Sequence, residues 1–308
     1  PQVRIGRFAV LDLLGQGAMG RVYAAYDDRL DRKVAIKVLL EGDDRGADAE
    51  AQAHRSGRRT RMEREAQAMA KLSHPNIVQV HEVGIAGDDV YIAMEFVRGR
   101  RLDEWIRDCK PSRPEILDVY IKAGRGLEAA HRADIVHRDF KPQNVIVGSE
   151  GVVKVLDLGL ARMYVPPGGA SVRAPGGEPD EPHRGLLSIP LTRTGALVGT
   201  PAYMAPELWA GEKASPQSDQ YSFCISLLEG LLGRHPLATD DDGVPTLAAL
   251  VDGQVNLSAS SQVPTWLKRA LLRGLSAHPA SRYPSMDALL SALGNDPGKV
   301  RRRRLATT

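Results

Sequence analysis

Asp139, Asn144 and Asp157 are polar residues whose order along the chain suggests chemistry rather than packing. They fall in two runs, His137-Arg138-Asp139-Phe140-Lys141-Pro142-Gln143-Asn144 and Asp157-Leu158-Gly159, separated by a short predicted hairpin. Such a set supplies what phosphoryl transfer needs. Asp139 can accept the proton of an attacking hydroxyl, Lys141 can neutralise charge on a γ-phosphate, and Asn144 with Asp157 can hold Mg²⁺. A hard cation prefers oxygen ligands of this kind. Any one of these residues is most often an ordinary loop acid or amide. The set in this order, behind a glycine-rich loop and a strand lysine, is a far rarer coincidence.

The glycine-rich loop is Gly15-Gln16-Gly17-Ala18-Met19-Gly20 followed by Val22, the spacing G-x-G-x-x-G-x-V. A hairpin of this kind lets backbone N–H groups approach phosphate oxygens where a Cβ would stand in the way. The spacing alone also fits a dinucleotide fold, but that fold needs a helix directly after the glycines, and Arg21 to Tyr26 reads as strand. The strand lysine lies in Val34-Ala35-Ile36-Lys37. Period-2 alternation puts Lys37 on the face of Ala35 and opposite Val34 and Ile36, so an ammonium is aimed at a face that could hold ATP. Its expected anionic partner is Glu65. This residue lies on a predicted helix, three after Met62 and four before Met69, whereas Glu63 falls on a different, surface-suited face.

These residues need a scaffold. From Phe8 to Phe96 the apolar residues come in short β-rich runs, among them Val34 to Leu40 and Val90 to Phe96, interrupted by one helical stretch near Arg61 to Leu72. That predicts a small, mostly antiparallel lobe. From about Leu102 onward helical periodicity dominates, over Pro114 to His131, Gln217 to Leu232, Pro264 to Leu275 and Pro284 to Leu293, predicting a larger helical lobe. Ser112 followed three residues later by Glu115 has the form of a capping box, though so short a pattern also arises by chance. Glu41 to Arg59, polar and charged, and Met163 to Pro190, rich in Pro and Gly, read as inserted loops. The expected division is residues 1–7 as an extension, 8–97 and 98–293 as the two lobes, and 294–308 as a basic tail.

The 308 residues are enough for one large or two smaller domains, and no apolar run approaches the roughly 20 residues of a membrane span. Cys109 and Cys224 lie far apart, without metal or disulfide spacing, which points to a reducing, cytoplasmic setting. Much of the formal net charge of +3 sits in Lys299 and Arg301 to Arg304. That run is either a solvated tail or a juxtamembrane anchor preceding a span beyond residue 308. No aromatic or basic residues are interleaved into a wider face that could follow a nucleic acid, so no nucleic-acid partner is expected. The start at Pro1, with no signal peptide, suggests a piece of a longer protein.

On these marks the chain resembles the eukaryotic-like, or Hanks-type, protein kinases, and most closely their bacterial Ser/Thr branch. The resemblance runs from Phe8 to about Leu293 and rests on the Gly15 to Gly20 loop, Lys37, Glu65, His137-Arg138-Asp139 with Asn144, Asp157-Leu158-Gly159 and Ala205-Pro206-Glu207. Leu158 stands where the family often has Phe, as bacterial members commonly do. The resemblance implies an α+β bilobal fold and catalytic roles for Asp139, Lys141, Lys37 and Glu65. It also implies an ATP site with Mg²⁺, or Mn²⁺ as the alternative ion, held by Asn144 and Asp157. Leu14 and the loop residues Gly15, Gln16, Gly17, Ala18, Met19 and Gly20 would cover the phosphates. Met94 would be the gatekeeper, Glu95 to Val97 the hinge that bonds adenine, and Val22, Ala35 and Ile146 the sandwich around the ring. Glu207 would pair with Arg282, and Asp219 would clamp the catalytic-loop backbone. Lys141, Thr200 and the Ala205-Pro206-Glu207 segment imply protein substrates with Ser or Thr acceptors. Thr192 and Thr194 would be autophosphorylation sites opposite Arg138, through a transient homodimer. The alternative is a pseudokinase scaffold that binds ATP without catalysis; it would normally lack Lys37, Asp139 or Asp157, and none is missing.

Overall fold

The computed structural model describes residues 3–17, 20–39, 69–87, 89–159, 201–237 and 263–295. Ala18, Met19, Glu65, the loop at 163–190, Thr192, Thr194, Thr200 and the arginines at 301–304 lie outside the described residues.

The small lobe is an antiparallel sheet of six strands in the order β1-β2-β3-β4-β6-β5. The strands are β1 (Arg4–Ile5), β2 (Phe8–Gly17), β3 (Gly20–Asp27), β4 (Arg32–Leu39), β5 (Val80–Ala86) and β6 (Asp89–Glu95). Aliphatic and β-branched residues at alternating positions build it, because successive side chains point to opposite faces. On β4, Val34 and Ile36 join Phe8, Ala25, Tyr91 and Ala93 in a small outer cluster. Ala35 and Leu39 face the other way, into the main core with Val90, Ile92 and Met94 of β6. The alternation expected for β4 is therefore the observed one, and Lys37 pairs in register with Ile92 on β6. The segment ahead of Phe8 joins the sheet, Arg4 pairing with Ala9 and Ile5 with Phe8.

The large lobe begins with β7 (Gly99–Arg101), α1 (Leu102–Cys109) and α2 (Arg113–Arg132). Its second sheet has the order β7-β8-β9, with β8 (Val145–Gly148) and β9 (Val153–Val155) forming the predicted hairpin. The α2 start is capped as expected: the Glu115 carboxylate accepts from the Ser112 backbone N–H at 2.7 Å and from its hydroxyl at 2.6 Å. Gly126 on α2 lets the loop before β5 come close, since a Cβ there would lie 2.6 Å from the Asn76 carbonyl oxygen.

Beyond Tyr203 come α3 (Pro206–Trp209), α4 (Pro216–Leu232), α5 (Thr265–Gly274) and α6 (Met286–Gly294). The longer ones, α4 to α6, match the predicted helices to within one or two residues at each start. Helix α4 is buried nearly all round, with Ser218, Asp219, Gln220, Ser222 and Ser226 buried beside its apolar residues, and it forms the axis of this lobe. Ser215 caps its start, accepting from the Ser218 N–H at 3.3 Å, and Gly233 ends it at φ 72°, a conformation glycine adopts without strain. Tyr120 of α2 packs edge-on against Phe223 and donates to the Ser226 carbonyl at 2.7 Å.

Candidate active site

The cleft between the lobes is assembled from four segments. The first is the β2–β3 turn, where Gly15 pairs with Val22, Gln16 with Arg21 and Gly17 with Gly20. A Cβ on Gly15 or Gly17 would meet no atom of the described residues within 4 Å, so none of them crowds the backbone there. Gly20 is different: its φ is 135° and a Cβ would lie 2.0 Å from the Val38 carbonyl oxygen, so only glycine fits. Leu14, beside these glycines, is among the more exposed apolar side chains.

The second segment is Lys37 on β4, only 4% exposed. Burying an ammonium is costly unless it is paired, and its Nζ lies 2.8 Å from Asp157 Oδ2. The expected partner, Glu65, lies outside the described residues. Asp157 thus pairs with Lys37, a contact that the sequence motifs, which give Asp157 to the metal alone, do not reveal. It sits at φ 55°, with Gly159 at φ 66°, so the chain turns sharply after β9 and projects the carboxylate toward the cleft.

The third segment is the loop His137 to Asn144. Asp139 carries Lys141 at 2.8 Å, and the Asn144 side-chain N–H donates to the Asp139 carbonyl at 2.7 Å and to Asp139 Oδ2 at 3.3 Å. The loop is held from below. Asp219, 1% exposed on α4, accepts the backbone N–H of His137 at 2.8 Å and of Arg138 at 2.9 Å. His131 Nε2–H donates to the same carboxylate at 2.7 Å. Burial pushes the Asp219 carboxyl up, but these hydrogen bonds and the neighbouring imidazoles outweigh it and hold the group below the ordinary range. Arg138 sits at φ 71°, a strained conformation that the two N–H anchors enforce. The buried imidazole of His137 stacks edge-on with Phe140 and accepts the Asp139 N–H at 3.4 Å.

The fourth segment comprises the end of β6 and the chain leading from it into the large lobe. Met94, 7% exposed, lines a small cavity with Met69, Val80, Ile92 and Leu158, behind the Lys37–Asp157 pair. Val22, Ala35 and Val97 pack on or within the main core, and Ile146 pairs in register with Arg101 on β7. Farther down, Arg282 forks onto Glu207 at 2.6 and 2.7 Å, both side chains buried, tying α3 to the chain just ahead of α6 as expected. Sequence reasoning missed Tyr203, whose hydroxyl donates to Glu229 of α4 at 2.7 Å. A tyrosine two residues ahead of the Ala205-Pro206-Glu207 segment, and an acid near the apolar end of a predicted helix, were the available signals.

A divalent cation fits the third and second segments. The Asn144 amide nitrogen is committed to Asp139, which makes its Oδ1 the candidate ligand atom, and Asp157 supplies a carboxylate. The Leu156 N–H donates to the Asn144 carbonyl at 2.8 Å, holding the two ligand-bearing stretches together. No group of three or more His, Cys, Asp or Glu that could hold a metal occurs among the described residues. Two oxygen ligands suit an ion that completes its shell from phosphates and water.

Known proteins resemble this chain over nearly its whole length. The family described as "Protein kinase domain" matches residues 8–292. Serine/threonine-protein kinase PknA of Mycobacterium tuberculosis is 32% identical over 286 residues, covering 91% of this chain and 59% of that protein. Serine/threonine-protein kinase PksC of Streptomyces coelicolor is 37% identical over 297 residues, covering 92% and 48%. The chain therefore spans about half the length of these relatives. Among solved structures, the Mycobacterium tuberculosis PknI kinase domain superposes with a TM-score of 0.65 at 25% identity, over 95% of this chain and 97% of that one. Membership of such a family implies ATP and a divalent metal. No helix among the described residues is long and apolar enough to cross a membrane.

Proposed function

The chain belongs to the protein kinase family, and from that premise we propose that it transfers the γ-phosphoryl group of ATP to Ser or Thr hydroxyls of proteins, using Mg²⁺. The observation that carries the proposal is the convergence of Asp139, Lys141 and Asn144 on one loop pinned by Asp219, facing an Asp157 carboxylate already paired with Lys37. Phosphoryl transfer asks mainly for positioning and charge stabilisation, and this arrangement provides both. Asp139 accepts the proton of the acceptor hydroxyl. Lys141 neutralises charge on the moving phosphoryl group. Lys37 binds phosphate oxygens, and Asn144 with Asp157 would hold Mg²⁺, which when bound offsets the charge of the phosphates. The glycine-rich turn closes over the phosphates, while Glu95 to Val97 present backbone to adenine between Val22, Ala35 and Ile146.

Glu65 as the partner of Lys37, autophosphorylation at Thr192 and Thr194 with Arg138 receiving the phosphate, and a transient homodimer for that step belong to the same proposal. A cytosolic kinase domain, with anchoring through a segment beyond the basic tail, is its cellular counterpart. The test is incubation with labelled ATP and Mg²⁺ beside a generic basic protein, followed by phosphoamino-acid analysis. Label on phosphoserine or phosphothreonine supports the reading, and label confined to phosphotyrosine refutes the substrate class. Replacing Thr192 and Thr194 by Ala should lower turnover with the fold intact; unchanged turnover in a dephosphorylated sample removes the switch.

A further inference from the structure

The cation of β9 plays no part in the chemistry above, yet it occupies the joint between the lobes. Lys154 stands between the buried Val153 and Val155, and its side chain is 14% exposed. Its Nζ lies 2.8 Å from Glu95 Oε2, at the end of β6, and donates to the Ile77 carbonyl at 3.3 Å. The same Glu95 oxygen accepts the Gln79 N–H at 3.3 Å, and the Glu95 N–H donates to the Gln79 carbonyl at 2.8 Å. The loop from Asn76 is itself fastened to β9. Val78 N–H donates to the Val155 carbonyl, Val155 N–H to the Asn76 carbonyl, both at 2.9 Å, and Asn76 Nδ2 to the Val153 carbonyl at 3.0 Å. Glu95 is thus tied to the strand that leads, three residues after Lys154, into Asp157.

We propose that Lys154 is a positioning residue that sets the adenine-binding backbone at Glu95 relative to Asp157, acting through the Glu95 carboxylate. The inference rests on the kinase reading, because it assigns Glu95 to the nucleotide hinge. A small-lobe residue and a large-lobe strand are here joined by a charge pair in addition to the hydrogen bonds that run through the Asn76–Val78 loop. Without the ammonium, the Glu95 side chain, already 34% exposed, turns to water. The chain from Glu95 to Val97 then loses one of its anchors. The groups that meet the phosphates and the metal are untouched, so the cost falls on base recognition.

The experiment measures binding of Mg-ATP and of adenosine, with kcat and KM, for the unaltered protein, Lys154→Met and Lys154→Arg. Methionine keeps the apolar stem of the side chain and removes the charge. Expected is an approximately fivefold weaker binding of both ATP and adenosine in Lys154→Met, the scale of a partly exposed ion pair. KM should rise by the same factor, kcat should stay within about twofold, and Lys154→Arg should recover most of the affinity. Unchanged nucleotide affinity in Lys154→Met overturns the inference. So does a joint loss of kcat and melting temperature that Lys154→Arg leaves uncorrected, since that marks a purely structural role. If the unaltered protein binds no ATP, the kinase reading fails and this inference with it.

Discussion

Lys37 Nζ lies 2.8 Å from Asp157 Oδ2, joining a strand of the small lobe to the turn that leaves β9 in the large one. An ammonium at 4% exposure has to be paired, and its partner here is also a metal-ligand candidate. The pair thus brings a phosphate-binding cation and a metal-ligand candidate together across the cleft. Lys37→Met should lower the transfer rate by about 10²-fold or more, as for other single electrostatic groups at reacting phosphates. The Asp157 carboxylate remains partly solvated, so the melting temperature should change little. A variant that keeps near-normal kcat would remove Lys37 from the machinery.

The Arg282–Glu207 fork answers to stability rather than to chemistry. Both side chains are nearly inaccessible, and Arg282 also donates to the carbonyls of Ser276, Gln217 and Ala277. Arg282→Ala leaves a buried carboxylate and several acceptors unpaired, at a cost of about 3–5 kcal/mol. At this chain length that is a fall of roughly 10 °C in melting temperature. Arg282→Lys keeps the charge but not the planar fork, and should recover only part of it. Thermal melts followed by circular dichroism decide this, and an unchanged melt for Arg282→Ala would contradict the account.

Much of this was legible in the sequence where the pattern is local. The alternation in Val34-Ala35-Ile36-Lys37 gave Lys37 its direction, and Ser112 with Glu115 marked the start of α2. The terse motifs of the catalytic loop named Asp139, Lys141 and Asn144. Contacts between distant segments left less trace. The Lys154–Glu95 pair joins residues 59 positions apart, and its only local sign is a lone cation between two buried valines. The strand β7 is three exposed residues, Gly99 to Arg101, with no apolar period to detect. The pairing of Arg4 and Ile5 with β2 was invisible for the same reason, since two residues carry no periodicity.

Asp219 predicts a pH signature. Its carboxyl is held below the ordinary range, because the His131 hydrogen bond and the other donors around it outweigh burial, the largest single influence, which pushes it up. A depressed folded-state value means that the stabilisation is complete above the unfolded value, near ~3.9, and is lost as pH falls through the folded one. Denaturant melts should therefore hold their midpoint from neutral pH down to about 4 on this group's account, then fall. Asp219→Asn should lower the midpoint at neutral pH and flatten the acid limb. An acid limb as steep as the wild type's would exclude Asp219 as its source.

The two thiols should react differently. Cys224 is fully buried and burial pushes its thiol well above the ordinary range, whereas Cys109 is exposed at the end of α1. A thiolate-selective alkylating reagent should label Cys109 alone in the native protein and both residues after unfolding. Peptide mass mapping reads this directly, and native labelling of Cys224 would contradict its close packing on Gly274 of α5, where a Cβ would lie 2.3 Å from the Cys224 sulfur.

The central claim is tested most directly by phosphate transfer from labelled ATP with Mg²⁺, to the protein itself and to a generic basic protein, beside Asp139→Asn. That substitution keeps the shape of the loop and removes the proton acceptor. The account predicts label on Ser or Thr with the intact chain and its loss in the variant, while ATP binding persists in both. An intact chain that binds ATP yet transfers nothing after long incubation at high concentration, or a variant that transfers as well as the intact chain, would contradict it.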